Sequence, residues 1–218
     1  MFATPVVKNV DYDKVYEPAE DSFLLLDCLE QESPFLRQNY SAPCSFVVEI
    51  GSGSGIVTSF VQKNILENSI FVATDLNPHA CAAVLQTAGE NCSTLACVDA
   101  CQMNLTTGLV RGSVDVLVFN PPYVPAESVP NVPESADDYT WLDLALLGGE
   151  NGMVTTWNVL NDLHNILSPN GVAYILFCAR NFPDKVAAHM ESKGWDVTTV
   201  IHRKAGWEVL SVLKFTRR

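Results

Sequence analysis

Short uninterrupted apolar runs recur along this chain, and between them apolar positions return every three or four residues. Phe46-Val47-Val48-Glu49-Ile50 is the first such run, and its length, β-branched content and closing glycines suit a strand buried on both faces. The pattern predicts further strands over Ile70 to Thr74, Thr94 to Val98, Val114 to Phe119 and Val172 to Phe177. Helical spacing fills the intervals, over about Ile56 to Leu66, Pro78 to Glu90, Met153 to Leu167 and Pro183 to Lys193. An earlier helix is expected over about Ala19 to Glu30, with Phe23, Leu24, Leu26 and Cys28 as its apolar set, followed by a polar stretch from Glu32 to Pro43. Strand and helix alternating in this way predict a parallel sheet with helices on both faces. The segments Asp196 to His202 and Val209 to Phe215 are joined only by Arg203 to Glu208, too short for a parallel crossover, so they predict an antiparallel hairpin. The expectation is a single α/β domain over 1–218, with an arm and first helix in 1–43 and a core in 44–218. Its sheet would be mostly parallel and seven-stranded.

Composition narrows the class. Of 218 residues, 48% are hydrophobic and 17% charged, too apolar for a disordered chain. A chain of this length buries roughly 70% of the surface it would expose unfolded. No run approaches the ~18 apolar residues of a membrane span. The start, Met1-Phe2-Ala3-Thr4-Pro5, has no basic head and apolar core of a secretory leader, and the seven cysteines lie among apolar neighbours. A cytoplasmic or nuclear protein with reduced thiols is expected. Cys92, Cys97 and Cys101 lack a Cys-x-x-Cys pair or a nearby histidine, so no metal is expected in this chain. A formal charge of −12 repels phosphate backbones, and no basic run offsets it.

The candidate chemistry sits at strand ends, where open parallel sheets bind their ligands. Glu49-Ile50-Gly51-Ser52-Gly53-Ser54-Gly55 is a glycine turn that brings backbone close to a ligand. A dinucleotide fingerprint would want a glycine where Ile56 stands, and its third glycine arrives instead at Gly55. The acidic Glu49 before the turn suits a ligand amino group better than a pyrophosphate. Asp75, followed by Leu76, ends the second strand and can accept both hydrogen bonds of a ribose diol. Capping the next helix falls more naturally to Asn77, with Pro78 in the first helical position. Asp99, expected just after the third strand, is the candidate partner of an adenine amino group.

Val114 to Phe119 runs directly into Asn120-Pro121-Pro122-Tyr123. An amide or aromatic amine nitrogen is a poor nucleophile because its lone pair is delocalised, so it needs to be held in line with its electrophile. The Asn120 side-chain oxygen and the Pro121 carbonyl can each accept one hydrogen of an NH2 group. Pro121 and Pro122 stiffen the backbone, and Tyr123 offers a flat face for a planar amide or base. The prolines at 125, 130 and 133 mark the excursion Val124 to Asp143 as a loop placed to cover a substrate.

These motifs together resemble the HemK-like glutamine N5-methyltransferases, which modify the Gly-Gly-Gln motif of class I translation release factors. Tyr16-Glu17-Pro18-Ala19-Glu20-Asp21-Ser22-Phe23 is similar to the family's motif ahead of the first strand, which implies a cofactor contact for Ser22. Glu49, Gly51, Asp75, Asp99 and Asn120 match cofactor contacts, and Asn120-Pro121-Pro122-Tyr123 matches the substrate clamp. Gly148-Gly149-Glu150-Asn151-Gly152 resembles a glycine segment packed near that clamp. The resemblance implies a Rossmann-like class I methyltransferase that uses S-adenosyl-L-methionine and yields S-adenosyl-L-homocysteine. It points to the eukaryotic and archaeal branch, whose members act with a small zinc-binding activator subunit, so any zinc would belong to the partner.

An Asn-Pro-Pro-Tyr clamp would also serve the exocyclic amine of adenine or guanine, but with this acidic charge such an enzyme would have to borrow its affinity for nucleic acid from a partner. A non-catalytic scaffold is the third reading, against which the intact glycine turn and Asn120 stand. The expected third strand Thr94, Leu95, Ala96, Cys97 and Val98 would lie at the sheet edge, carry no charge, and accept a strand from the activator.

Overall fold

The computed structural model describes residues 1–41, 44–91 and 97–218. Among these residues seven strands form one sheet in the order β3-β2-β1-β4-β5-β7-β6. They are β1 Phe46–Ile50, β2 Ile70–Asp75, β3 Val98–Gln102, β4 Val114–Phe119, β5 Leu167–Cys178, β6 Trp195–Ala205 and β7 Glu208–Arg217. The first five pair in parallel, whereas β7 lies antiparallel between β5 and β6. The hairpin is tighter than its sequence suggests, because pairing runs to Ala205 opposite Glu208 and leaves Gly206 and Trp207 as the turn.

Alternate residues of the central strands feed two cores. Val47, Val116, Val118 and Tyr174 pack on the side of helices α1 Glu20–Tyr40, α2 Ile56–Asn64 and α3 Pro78–Asn91. Val48, Leu117, Phe119 and Ile175 pack on the other side, with α5 Val154–Ile166 and α6 Pro183–Ser192. Burying each such side chain contributes about 1.5–3 kcal/mol, so both faces are closed by the period-two pattern.

Two expectations need correction. The first helix does not stop near Glu30: it continues through Pro34 to Tyr40, because Leu29, Ser33, Leu36 and Tyr40 keep one face buried past the polar residues. That burial outweighs the hydrogen bond lost at the proline. The third strand is also displaced. Of the expected Thr94 to Val98, residues Thr94, Leu95 and Ala96 lie outside the described residues, Cys97 is in a turn, and only Val98 is in the strand. Pairing with β2 sets the register, from Phe71 opposite Val98 to Asp75 opposite Gln102. β3 is an edge strand, as its place in the order requires, but it carries the exposed Asp99 and so is not charge-free. Among the described residues no helix is long and apolar enough to cross a membrane.

Candidate active site

The C-terminal ends of β1, β2, β3 and β4 open onto one cavity of about 350 Å³. Ser22, Glu49, Gly51, Gly53, Asp75, Leu76, Asn120, Pro121, Pro122 and Tyr123 all line it. The glycine turn is shaped by backbone that only glycine adopts easily, with φ of +64° at Gly51 and +51° at Gly53. Gly55 plays a different part and does not line the cavity. Its φ is +77°, and a Cβ there would stand 2.6 Å from the Cα of Val84, so the third glycine lets α2 pack against α3.

Two carboxylates stand at the C-terminal ends of β1 and β2. Glu49 is buried, and its Oε2 accepts the Thr58 backbone N–H at 2.9 Å and the Thr58 hydroxyl, which ties β1 to the first turn of α2 and leaves Oε1 for a ligand donor. Burial pushes the Glu49 carboxyl up to about 8, against the pull of the Thr58 hydrogen bonds and with the nearby Asp75 adding to the rise. Asp75 accepts the Gly53 N–H on Oδ2 at 3.1 Å and the Asn77 N–H on Oδ1 at 2.9 Å. Burial raises its carboxyl as well, opposed by those backbone donors. Asn77 caps α3 by accepting the His79 N–H at 3.0 Å, as its position before Pro78 predicts.

Asp99 does not reach this cavity. It is the second residue of β3, exposed, and its side chain accepts the Ala100 N–H at 2.8 Å. The segment that follows β3 takes the place intended for it: Met103, Asn104 and Leu105 line the cavity, with Leu105 at a φ of 53°. Because the strand starts four residues later than the apolar pattern suggests, the strand-end polar group is Asn104.

At the end of β4 the clamp is fixed from below. A Cβ on Gly148 would stand 2.1 Å from the Pro122 carbonyl oxygen, so this segment packs against the clamp as the family resemblance implies. Asn181 donates to the Tyr123 carbonyl at 3.1 Å and to the Asn151 carbonyl at 2.9 Å. The Asn120 Oδ1 is buried and, among the described residues, has no hydrogen-bond partner. An orphaned buried acceptor costs about 1–3 kcal/mol until a donor fills it. The excursion after the clamp folds back over the cavity, with Val129, Pro130 and Val132 in its wall. It is held by the Lys14–Asp137 ion pair at 3.1 Å and by a His79 Nε2 contact of 2.5 Å to the Ala136 carbonyl. Its last residues enter a short helix, α4 Trp141–Leu146, whose buried Trp141 also lines the cavity.

Among the described residues no lysine, arginine or histidine lines the cavity, while Glu49, Asp75 and Asp21 do. A pocket of this charge favours a cationic ligand. S-adenosylmethionine, with its ammonium and sulfonium groups, its diol and its adenine, fits such a donor and acceptor set, and a pyrophosphate does not. Among the described residues no group of three or more His, Cys, Asp or Glu is placed to hold a metal ion.

Glycine turn, strand-end carboxylates and Asn-Pro-Pro-Tyr clamp on one sheet edge are the parts of a Rossmann-like methyltransferase. Residues 21–132 match the family described as the methyltransferase small domain, and the chain belongs to that family. Within it the chain is similar to Methyltransferase HEMK2 of Homo sapiens, with 37% identity over 99% of this chain and 97% of the relative. It is 37% identical to the eRF1 methyltransferase catalytic subunit mtq2 of Schizosaccharomyces pombe, over 100% of this chain and 96% of that one. Its fold is similar to the E. cuniculi Mtq2-Trm112 complex responsible for methylation of the eRF1 translation termination factor. That match has a TM-score of 0.67 and 25% identity, covering 94% of this chain and 99% of the other.

Proposed function

We propose that this chain transfers a methyl group from S-adenosylmethionine to the side-chain amide nitrogen of the glutamine in a Gly-Gly-Gln motif of a class I translation release factor. The observation that carries the reading is the buried Asn120 Oδ1, without a partner among the described residues, in the same cavity as the Glu49 and Asp75 carboxylates. The cofactor, when bound, supplies an electrophilic methyl group on a sulfonium sulfur. Glu49 and Asp75 hold its cationic and hydroxyl groups, while Asn120 Oδ1 accepts one amide hydrogen of the substrate and orients the nitrogen. Tyr123 and Pro122 confine the planar amide, and the loop over the cavity excludes water. The proton left on the methylated nitrogen is acidic and departs without a dedicated base. Two relatives support the substrate, since their descriptions name eRF1.

A small zinc-binding activator subunit, carrying the zinc itself, completes the reading, and its docking edge is β3. Among the described residues that strand pairs only with β2, and no other strand lies on its far side. A cytoplasmic location accords with such a substrate. The test combines the chain, its activator, labelled S-adenosylmethionine, release factor and DNA. Label is expected in the release factor, absent when the motif glutamine is replaced, and lost with Asn120→Ala while cofactor affinity persists. Label in DNA instead would overturn the substrate assignment. Amides of Val98–Gln102 should exchange more slowly in the complex, and unchanged exchange would move the interface elsewhere.

A further inference from the structure

The clamp tyrosine is held by a residue from the far end of the chain. Glu208 opens β7, 85 residues beyond Tyr123, and its Oε2 lies 3.3 Å from the Tyr123 hydroxyl. Asp21 Oδ2, at the start of α1, lies 3.4 Å from the same hydroxyl. A phenol has one proton to give, so only one of these carboxylates receives it. Asp21 is already supplied. Tyr16 donates its hydroxyl to Asp21 Oδ2 at 3.1 Å, and Ser22 gives Asp21 Oδ1 its backbone N–H at 2.6 Å and its hydroxyl at 3.2 Å. Among the described residues neither Asp21 nor Glu208 has an ion-pair partner, so a hydroxyl donor is what Glu208 has beside the clamp.

We infer that Glu208 is a positioning residue for the methyl transfer: it takes the Tyr123 proton and fixes the ring against which the substrate amide lies. This rests on the function proposed above. The hairpin is a firm support for the task, because Arg203 pairs with Asp27 at 2.5 Å and Lys214 with Glu32 at 2.5 Å, both on α1. The N-terminus of α1, the end of β4 and the start of β7 thereby meet at one hydroxyl. Released from Glu208, the ring can turn, and misplacement on the ångström scale costs about 100-fold in a reaction that depends on alignment.

The test uses the full chain with its activator, release factor and labelled S-adenosylmethionine. Glu208→Ala should lower kcat by about 10- to 100-fold while the cofactor dissociation constant stays within about twofold of the parent. Glu208→Gln, whose amide oxygen still accepts the phenol proton, should recover most of the rate. In a Tyr123→Phe background, Glu208→Ala should cost nothing further, because the shared hydrogen bond is already gone. Full turnover in Glu208→Ala, no recovery in Glu208→Gln, or losses that add to Tyr123→Phe would each overturn the assignment. A parent that labels no release factor would instead sink the substrate reading. The tyrosine then still reports, in a chain carrying carbon-labelled tyrosine. Its ring signal, assigned by its loss in Tyr123→Phe, should move in Glu208→Ala and move less in Glu208→Gln. An unmoved signal would overturn the proposal without reference to any substrate.

Discussion

Gly152 packs so closely under Tyr123 that a Cβ added to the glycine would stand 2.0 Å from the Tyr123 carbonyl oxygen. The glycine also has a φ of +67°, a conformation that side chains resist. The contact seats the last residue of the clamp on the turn ahead of α5, and Asn181 bridges the same two segments.

Gly152→Ala should therefore disturb catalysis more than its size suggests. Backbone strain alone costs about 1–3 kcal/mol, and the clash adds to it by pushing the clamp toward the cavity. The expected result is a lower Tm and a large fall in kcat, with S-adenosylmethionine affinity less affected. Calorimetry beside a turnover assay would decide it, and a variant matching the parent in both would show that the segment yields freely.

The sheet and its parallel order are legible because burial on two faces leaves continuous apolar strands, and the clamp is legible because Asn120-Pro121-Pro122-Tyr123 ends one of them. The register of β3 is not. Its residues Val98-Asp99-Ala100-Cys101-Gln102 are no more apolar than the segment before them, and only the partner strand distinguishes the two. Glu208 is invisible for a related reason. Its meeting with Tyr123 depends on the hairpin closing through two residues, which local pattern does not fix. Pro34 conceals the second half of α1 in the same way, since the face that rescues the helix is formed by tertiary packing.

The displaced strand gives a direct comparison between Asp99 and Asn104. Asp99 is exposed and outside the cavity, whereas Asn104 lines it where a strand-end polar group can meet the cofactor's base. Asp99→Ala is expected to leave cofactor affinity unchanged. Asn104→Ala should weaken it by about 1 kcal/mol, the usual net worth of a neutral hydrogen bond. Titration calorimetry on the two variants distinguishes them, and the reverse order of effects would return the role to Asp99.

Asp75→Ala should weaken S-adenosylmethionine binding by about 1.5–3 kcal/mol, the range for a hydrogen bond to a charged group. The same change removes the acceptor of the Gly53 and Asn77 amides, so the turn loosens along with the ligand contact. Asp75→Asn tests which loss matters, because it retains one side-chain oxygen as an acceptor. Calorimetry showing unaltered affinity in both variants would remove Asp75 from the cofactor site.

Glu49 should make cofactor binding depend on pH. Burial raises its carboxyl to about 8 in the folded chain, from 4.5 ordinarily. Between those values the folded chain holds a proton that the unfolded chain has lost, so this group's contribution to stability declines as pH rises through the window. A cationic ligand reverses the preference, since it favours the ionised carboxylate and expels the proton on binding. Affinity for S-adenosylmethionine is therefore expected to strengthen from about pH 6 toward about pH 8, by up to tenfold per unit, with release approaching one proton. Calorimetry in buffers of different protonation enthalpy measures that proton directly. Glu49→Gln has no proton to release, so its weaker binding should be flat across the same range. A parent whose affinity is equally flat, with no proton released, would mean that Glu49 keeps one protonation state throughout and that the cation is met elsewhere in the cavity.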